Sequence, residues 1–126
     1  MEYHSPMSVR AIRGATQAEA NSVEAISAAT KELLLAILEG NNLSPSQIVS
    51  VILTATPDLT ATFPAAAARE IGFESVPLLC AVEIDVPGAL TKVIRAMVTV
   101  ETELGSSQIS HIYLGGAKAL RRDIAQ

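Results

Sequence analysis

The chain has 126 residues, of which 49% are hydrophobic and 3% aromatic, and thirteen Asp and Glu outnumber nine Lys and Arg. This length suits one compact domain, and the acidic, ring-poor composition argues against the positive groove and stacking platforms of single-stranded nucleic-acid binding. Cys80 is the only cysteine, which excludes an intramolecular disulfide and fits a cytoplasmic protein, and no apolar run approaches a membrane span.

The first half of the chain predicts a strand, a helix and a second strand. Residues 9–12 are a short, largely apolar strand candidate with β-branched Val9 and Ile12 at its ends, and the turn-permitting Gly14 follows them. Apolar residues recur at helical spacing over residues 23–38, and Gly40 is placed to end that helix. Residues 49–56 are β-branched and apolar, which predicts a buried strand.

The second half predicts two helices and two strands. A short helix is expected over residues 64–71, and a long strand over residues 76–86, where Pro77 indicates an edge or entry position. Apolar residues at helical spacing predict a third helix over residues 87–98. A last short strand is expected over residues 109–114.

The predicted order β-α-β-α-β-α-β indicates a small single domain of the α/β class with a mixed sheet. Residues 1–8 are expected to form a loose extension, and residues 9–126 to form the domain. One face of the sheet is covered by helices in such a fold. The other face is rich in Ala, Thr and Val, and we expect it to pack on a partner.

Four arginines lie in or beside apolar, small-residue segments of this acidic chain, namely Arg13, Arg69, Arg95 and Arg121. A guanidinium stays protonated and is costly to desolvate without an acceptor. Several arginines beside buried elements therefore indicate a focused cationic pocket for a small polyanion, such as a dicarboxylate or a phosphate.

Several common chemistries have no residues to support them. The two histidines, His4 and His111, do not cluster with a G-x-S-x-G nucleophile or with metal ligands, and no phosphate-binding glycine motif is present. Beside the arginines there remain Glu83, Cys80 and Tyr113. This set suits a reaction stabilised by placed charges, without covalent or metal chemistry.

Each of these residues also has an ordinary structural interpretation. A single arginine near an apolar stretch is more often a surface residue, and Arg10 and Arg122 keep that interpretation. Glu83 alternates with apolar neighbours, as on the solvent face of a half-buried strand. Cys80 alone is typical of a small buried hydrophobe, and Tyr113 alone of a rim residue.

Five blocks, in order, carry a family resemblance: R-A-I-R-G-A-T, T-A-T-P-D-L-T-A-T-F-P-A, V-P-L-L-C-A-V-E-I-D-V-P-G-A-L, I-R-A-M-V-T-V and H-I-Y-L. Together they resemble the monofunctional chorismate mutases of the α/β class, over residues 9–123. The resemblance implies a cofactor-free rearrangement of chorismate to prephenate, on the route to phenylalanine and tyrosine. It also implies a barrel-like homotrimer with active sites between adjacent subunits.

The resemblance also implies a role for individual residues. Arg13 is expected to bind a substrate carboxylate, Arg95 to face the breaking ether oxygen, and Glu83 to accept the ring hydroxyl. Cys80 is expected beside that hydroxyl, and Tyr113 at a carboxylate. Residues expected to line or close the cleft are Phe63, Arg69, Leu120 and Arg121.

Two other functions remain open at the level of sequence. One is an imine-hydrolysing or ligand-binding trimer of similar architecture, which would not need Glu83 and Arg95 together with Arg13. The other is a non-catalytic trimer that binds a metabolite at the same site.

Overall fold

Seven helices and strands build the domain in the computed structural model, which describes residues 7–121. In chain order they are β1 Ser8–Gln17, α1 Val23–Gly40, β2 Ile48–Ala55, α2 Pro64–Glu70, β3 Leu78–Val82, β4 Val93–Thr102 and β5 Ile112–Tyr113. Short 3-10 turns lie at Pro45–Gln47, Ser106–Gln108 and Gly115–Leu120. Most of the predicted extension, with His4, lies outside the described residues, as does Arg122.

The five strands form one mixed sheet in the order β3-β2-β4-β1-β5. Strand β4 is antiparallel to both of its neighbours, β2 and β1, whereas the outer pairs β2–β3 and β1–β5 are parallel. This is the predicted α/β class with a mixed sheet. Pro77 precedes β3, which is an edge strand as predicted.

One face of the sheet packs against α1 and α2 and forms the main core. Leu33 and Ile37 of α1 meet Ile12, Leu53 and Val98 of the sheet there, and each of the five is at most 1% exposed. Burying such side chains stabilises the fold by about 1.5–3 kcal/mol each.

Gly14 continues β1, so the predicted turn at this position is wrong. A Cβ atom at Gly14 would lie 2.7 Å from Ile37 Cδ1 and 3.0 Å from Leu33 Cδ1. Glycine is therefore explained by the close approach of α1 to the strand. This contact fixes how closely β1 packs on α1 at the position next to Arg13.

The predicted third helix is also wrong, because its apolar segment is the central strand β4. Residues 90–98 satisfy the helical spacing, but the buried positions Ile94, Ala96, Val98 and Val100 alternate with period two. Short apolar runs fit both periods, and β-branched residues favour the strand. Pairing with strands on both sides then selects it. The order of elements is β-α-β-α-β-β-β.

The remaining predictions differ from the structure mainly at element ends. Helix α1 ends at Gly40 as predicted, and β2 is shifted by one residue from the predicted 49–56. Strands β3 and β5 are shorter than predicted, with five and two residues. No helix within the described residues is long and apolar enough to cross a membrane.

The second face of the sheet, which we call the open face, carries no α-helix within the described residues, and the 3-10 turn Gly115–Leu120 covers it only near Ala15 and Tyr113. Its apolar side chains Val9, Ile52, Leu79 and Met97 are between 39% and 61% exposed. These residues come from four different strands, so they form a spread apolar surface. Surfaces of this kind mark sites of interaction with a protein or a ligand.

Candidate active site

Two rows of paired residues cross the open face. In the first row, Thr54 on β2, Arg95 on β4, Ala15 on β1 and Tyr113 on β5 are successive strand partners. In the second row the partners are Leu79, Ile52, Met97 and Arg13. Side chains of strand partners lie on the same face of a sheet, so the two rows bring distant parts of the chain together.

Glu83 follows β3 and turns toward the first row. Its backbone N–H donates to the Ala55 carbonyl over 2.9 Å, which continues the β2–β3 pairing by one residue. Glu83 Oε1 then lies 2.7 Å from Arg95 Nε. An acid and a base that are twelve residues apart in the sequence thus form an ion pair on the open face.

The pair is close, yet its hydrogen bonding is incomplete. Arg95 Nε is buried and has no aligned hydrogen-bond partner among the described residues, although 43% of the arginine side chain is exposed. Thr54 Oγ1, on the neighbouring strand, is likewise buried without a partner. Because buried polar groups are nearly always paired, such groups require an explanation.

Four of the predicted residues line one cavity of about 210 Å³, namely Arg13, Glu83, Arg95 and Tyr113. Tyr113 is 3% exposed and packs with Ala15 and Ala117 at one side of the cavity. Two guanidinium groups, a carboxylate and a phenol therefore face a space with an apolar floor. The charge of this cavity suits an anion that also carries a neutral hydroxyl group.

A second hollow of about 290 Å³ adjoins the first on the other side of the ion pair. Both spaces are lined by Glu83 and Arg95, and the second adds the predicted Leu120 with apolar residues of the segment after β3. Arg121, the next residue, is half-buried and lies near enough to act electrostatically on His111.

Besides Arg121, three predicted residues line neither space. Phe63 occupies the N-cap position of α2 without a capping hydrogen bond and is 73% exposed, and Arg69 is exposed in the last turn of the same helix. Cys80 pairs with the fully buried Leu53 and packs against the main core, because alternation along β3 turns it to the helical face. Within one chain, these three are separate from the cavity.

Thr54, Ile52 and Met97 also line the cavity, although no motif in the sequence points to them. Ile52 and Thr54 alternate with the buried Val51 and Leu53, so period-two reading of β2 places both on the open face. Met97 lies in the segment that its spacing predicts as a helix, and that prediction hides its place on the open face. The described residues include no cluster of three or more His, Cys, Asp or Glu side chains suited to a metal ion.

His111 supports the backbone at Arg13. The Arg13 N–H donates to His111 Nδ1 over 2.9 Å, a bond that needs the neutral imidazole. The pKa of His111 lies below its usual value of 6.5, first because of burial and then because of the charges of Arg13 and Arg121. The neutral form therefore holds β1 to the segment that leads into β5.

We expect the stability of the protein to fall as pH drops below about 6.5. The unfolded chain binds a proton at His111 more readily than the folded chain does, so this contribution is complete above pH 6.5 and is lost toward the lowered pKa. Urea unfolding at pH 7.5 and at lower pH measures this loss of stability. His111→Asn retains an acceptor without the titration, so its stability should depend less on pH. Equal pH dependence in both proteins would contradict this explanation.

Comparison with known proteins identifies the family of the chain. A family profile described as chorismate mutase type I matches residues 9–124. The chain belongs to the type I chorismate mutase family.

Two curated chorismate mutases AroH are similar to the chain over nearly their whole length. The protein from Bacillus subtilis (strain 168) is 47% identical over 120 residues, which cover 94% of each chain. The protein from Thermus thermophilus is 48% identical over 117 residues, covering 92% of this chain and 96% of its own. Among solved structures, a chorismate mutase from Clostridium thermocellum matches with a TM-score of 0.86 at 48% identity, over 87% of this chain and 98% of its own.

Proposed function

We propose that this protein is an isomerase of the intramolecular-transferase type that rearranges chorismate to prephenate without a cofactor. The observation that carries the proposal is the single cavity lined by Arg13, Glu83, Arg95 and Tyr113. Chorismate carries two carboxylates, an ether oxygen and a ring hydroxyl, and the cavity offers a group for each kind of oxygen. Family membership favours this activity over imine hydrolysis.

The reaction asks for placement and charge more than for acid-base chemistry. One C–O bond breaks while one C–C bond forms, no proton moves and no nucleophile is needed. Arg13 and Tyr113 bind the carboxylates and hold the side chain of the substrate folded over its ring. Arg95 presents permanent, directed donors to the ether oxygen as negative charge grows there, and Glu83 accepts the ring hydroxyl.

We further propose that the working form is a cytoplasmic homotrimer with its sites between subunits. The exposed apolar residues of the open face support an association through that face. The position of Phe63, Arg69 and Cys80 outside the cavity of one chain fits a site that a neighbouring subunit completes. Leu120, which lines the second hollow, then closes the cleft together with the adjacent Arg121.

The purified protein, mixed with chorismate, tests the activity directly. Loss of chorismate absorbance with formation of prephenate supports the proposal. Binding without loss would instead support the metabolite-binding trimer, and neither binding nor loss would support the imine-hydrolysing alternative. Light scattering tests the assembly separately: we expect the mass of three chains of 13.2 kDa each, and the mass of one chain would contradict it.

A further inference from the structure

We propose that Thr54 is a positioning residue that accepts a guanidinium N–H of Arg95 when Glu83 turns to the bound substrate. The inference rests on the proposed function and adds a residue to the same site. It starts from two buried polar atoms with incomplete hydrogen bonding: Thr54 Oγ1 has no hydrogen-bond partner among the described residues, and Arg95 Nε has only the misaligned carboxylate of Glu83, 2.7 Å away.

The two residues are direct partners across β2 and β4. The Cβ atoms of such partners lie about 4.5–5.5 Å apart, and the Nε atom of an arginine is three bonds beyond its Cβ. Small rotations therefore bring the Nε–H of Arg95 onto Thr54 Oγ1. On the other side Arg95 has Ala15 as its partner, which offers no side-chain acceptor.

Few other acceptors can take this role. Among the residues that line the cavity, only Glu83, Thr54 and Tyr113 carry an oxygen in the side chain. Tyr113 is separated from Arg95 by the strand that contains Ala15. Glu83 attracts Nε in the structure, but the bond is not aligned, and the same carboxylate is assigned to the hydroxyl of the substrate.

Two arrangements of Arg95 follow from these contacts. In the first, which the structure shows, Arg95 Nε lies against Glu83 Oε1. In the second, Glu83 accepts the ring hydroxyl of the substrate, and Arg95 Nε–H donates to Thr54 Oγ1. The two terminal nitrogens of the guanidinium then point at the ether oxygen as a fork. Thr54 holds the Nε atom at the base of this fork.

Thr54→Val removes the hydroxyl and keeps the shape of the side chain, so it separates positioning from packing. We expect kcat to fall about tenfold, because a hydrogen bond to a charged group is lost in the reactive arrangement, while KM stays within about twofold. The stability in urea should be unchanged or higher, because a buried unpaired hydroxyl is gone. Thr54→Ser should restore kcat.

Thr99→Val is the matched control, because Thr99 lies on β4 and the open face but does not line the cavity. It should leave kcat and KM near those of the unchanged protein. If Thr54→Val does not fold, Thr54→Ala replaces it, with the same expected loss of kcat and the same rescue by Thr54→Ser.

Three results would overturn the inference. The first is a kcat of Thr54→Val equal to that of the unchanged protein. The second is an equal loss of kcat in Thr54→Val and Thr54→Ser. The third is a loss of kcat in Thr54→Val that occurs only together with a loss of its stability. Failure of the proposed function is distinguishable, since the unchanged protein would then not convert chorismate at all.

Discussion

Arg95→Ala lowers kcat/KM for chorismate by a factor of about 10²–10³ if the guanidinium stabilises the charge on the ether oxygen. Loss of one such donor costs about 3–4 kcal/mol of transition-state stabilisation in a site that excludes water. The fold should persist, because 43% of the Arg95 side chain is exposed and the pair with Glu83 is only partly buried. Steady-state kinetics and urea unfolding of the same preparation measure both effects.

Two further variants make this result specific to the fork of Arg95. Arg95→Lys keeps the charge but lacks the planar donors, so it should restore only a small part of the activity. Arg10→Ala is the control for loss of an arginine from the sheet, because Arg10 does not line the cavity. Its Nε instead donates to the Leu104 carbonyl over 3.2 Å. Near-normal turnover by Arg95→Ala would show that the assigned role is wrong.

Leu33→Ala should lower the free energy of unfolding by about 2–5 kcal/mol. Leu33 is 0% exposed and packs between α1 and the sheet, where its Cδ1 lies against Gly14. Truncation leaves a cavity in the main core, and the cost is a large part of the ~5–15 kcal/mol that stabilise a typical domain. Thermal unfolding at one fixed protein concentration gives the comparison, because the proposed association of subunits would make stability depend on concentration.

Leu35→Ala is the matched control on the same helix. Leu35 is 48% exposed, so the same truncation should change the stability by no more than about 0.5 kcal/mol. Equal losses in the two variants would mean that α1 does not pack on the sheet through the face described above.

Local signals explain which elements the sequence predicts well. The limits of α1 follow from the apolar stripe and from Gly40, both of which act within a few residues. Strand β4 was predicted as a helix because its spacing fits both periods, and only pairing with β1 and β2, which lie far away in the sequence, decides between them. The short length of β3 and β5 depends on the same non-local pairing.

The candidate site is likewise predicted in part by local residue types and in part only by non-local strand pairing. The types of Arg13, Glu83, Arg95 and Tyr113 indicate an anion site, and the family resemblance assigns their roles, but sequence spacing alone does not show that they meet. The register of the sheet brings them to one cavity. Thr54 has no motif of its own, and it becomes notable only as the partner of Arg95 with an unpaired hydroxyl.

A crystal structure with a bicyclic dicarboxylate that mimics the transition state tests the central claim most directly. We predict that the guanidinium of Arg95 donates to the ether oxygen of the mimic, that Glu83 accepts its hydroxyl, and that Arg13 and Tyr113 contact its carboxylates. A mimic bound away from this cavity, or bound in it with the Arg95 fork directed into solvent, would contradict the account.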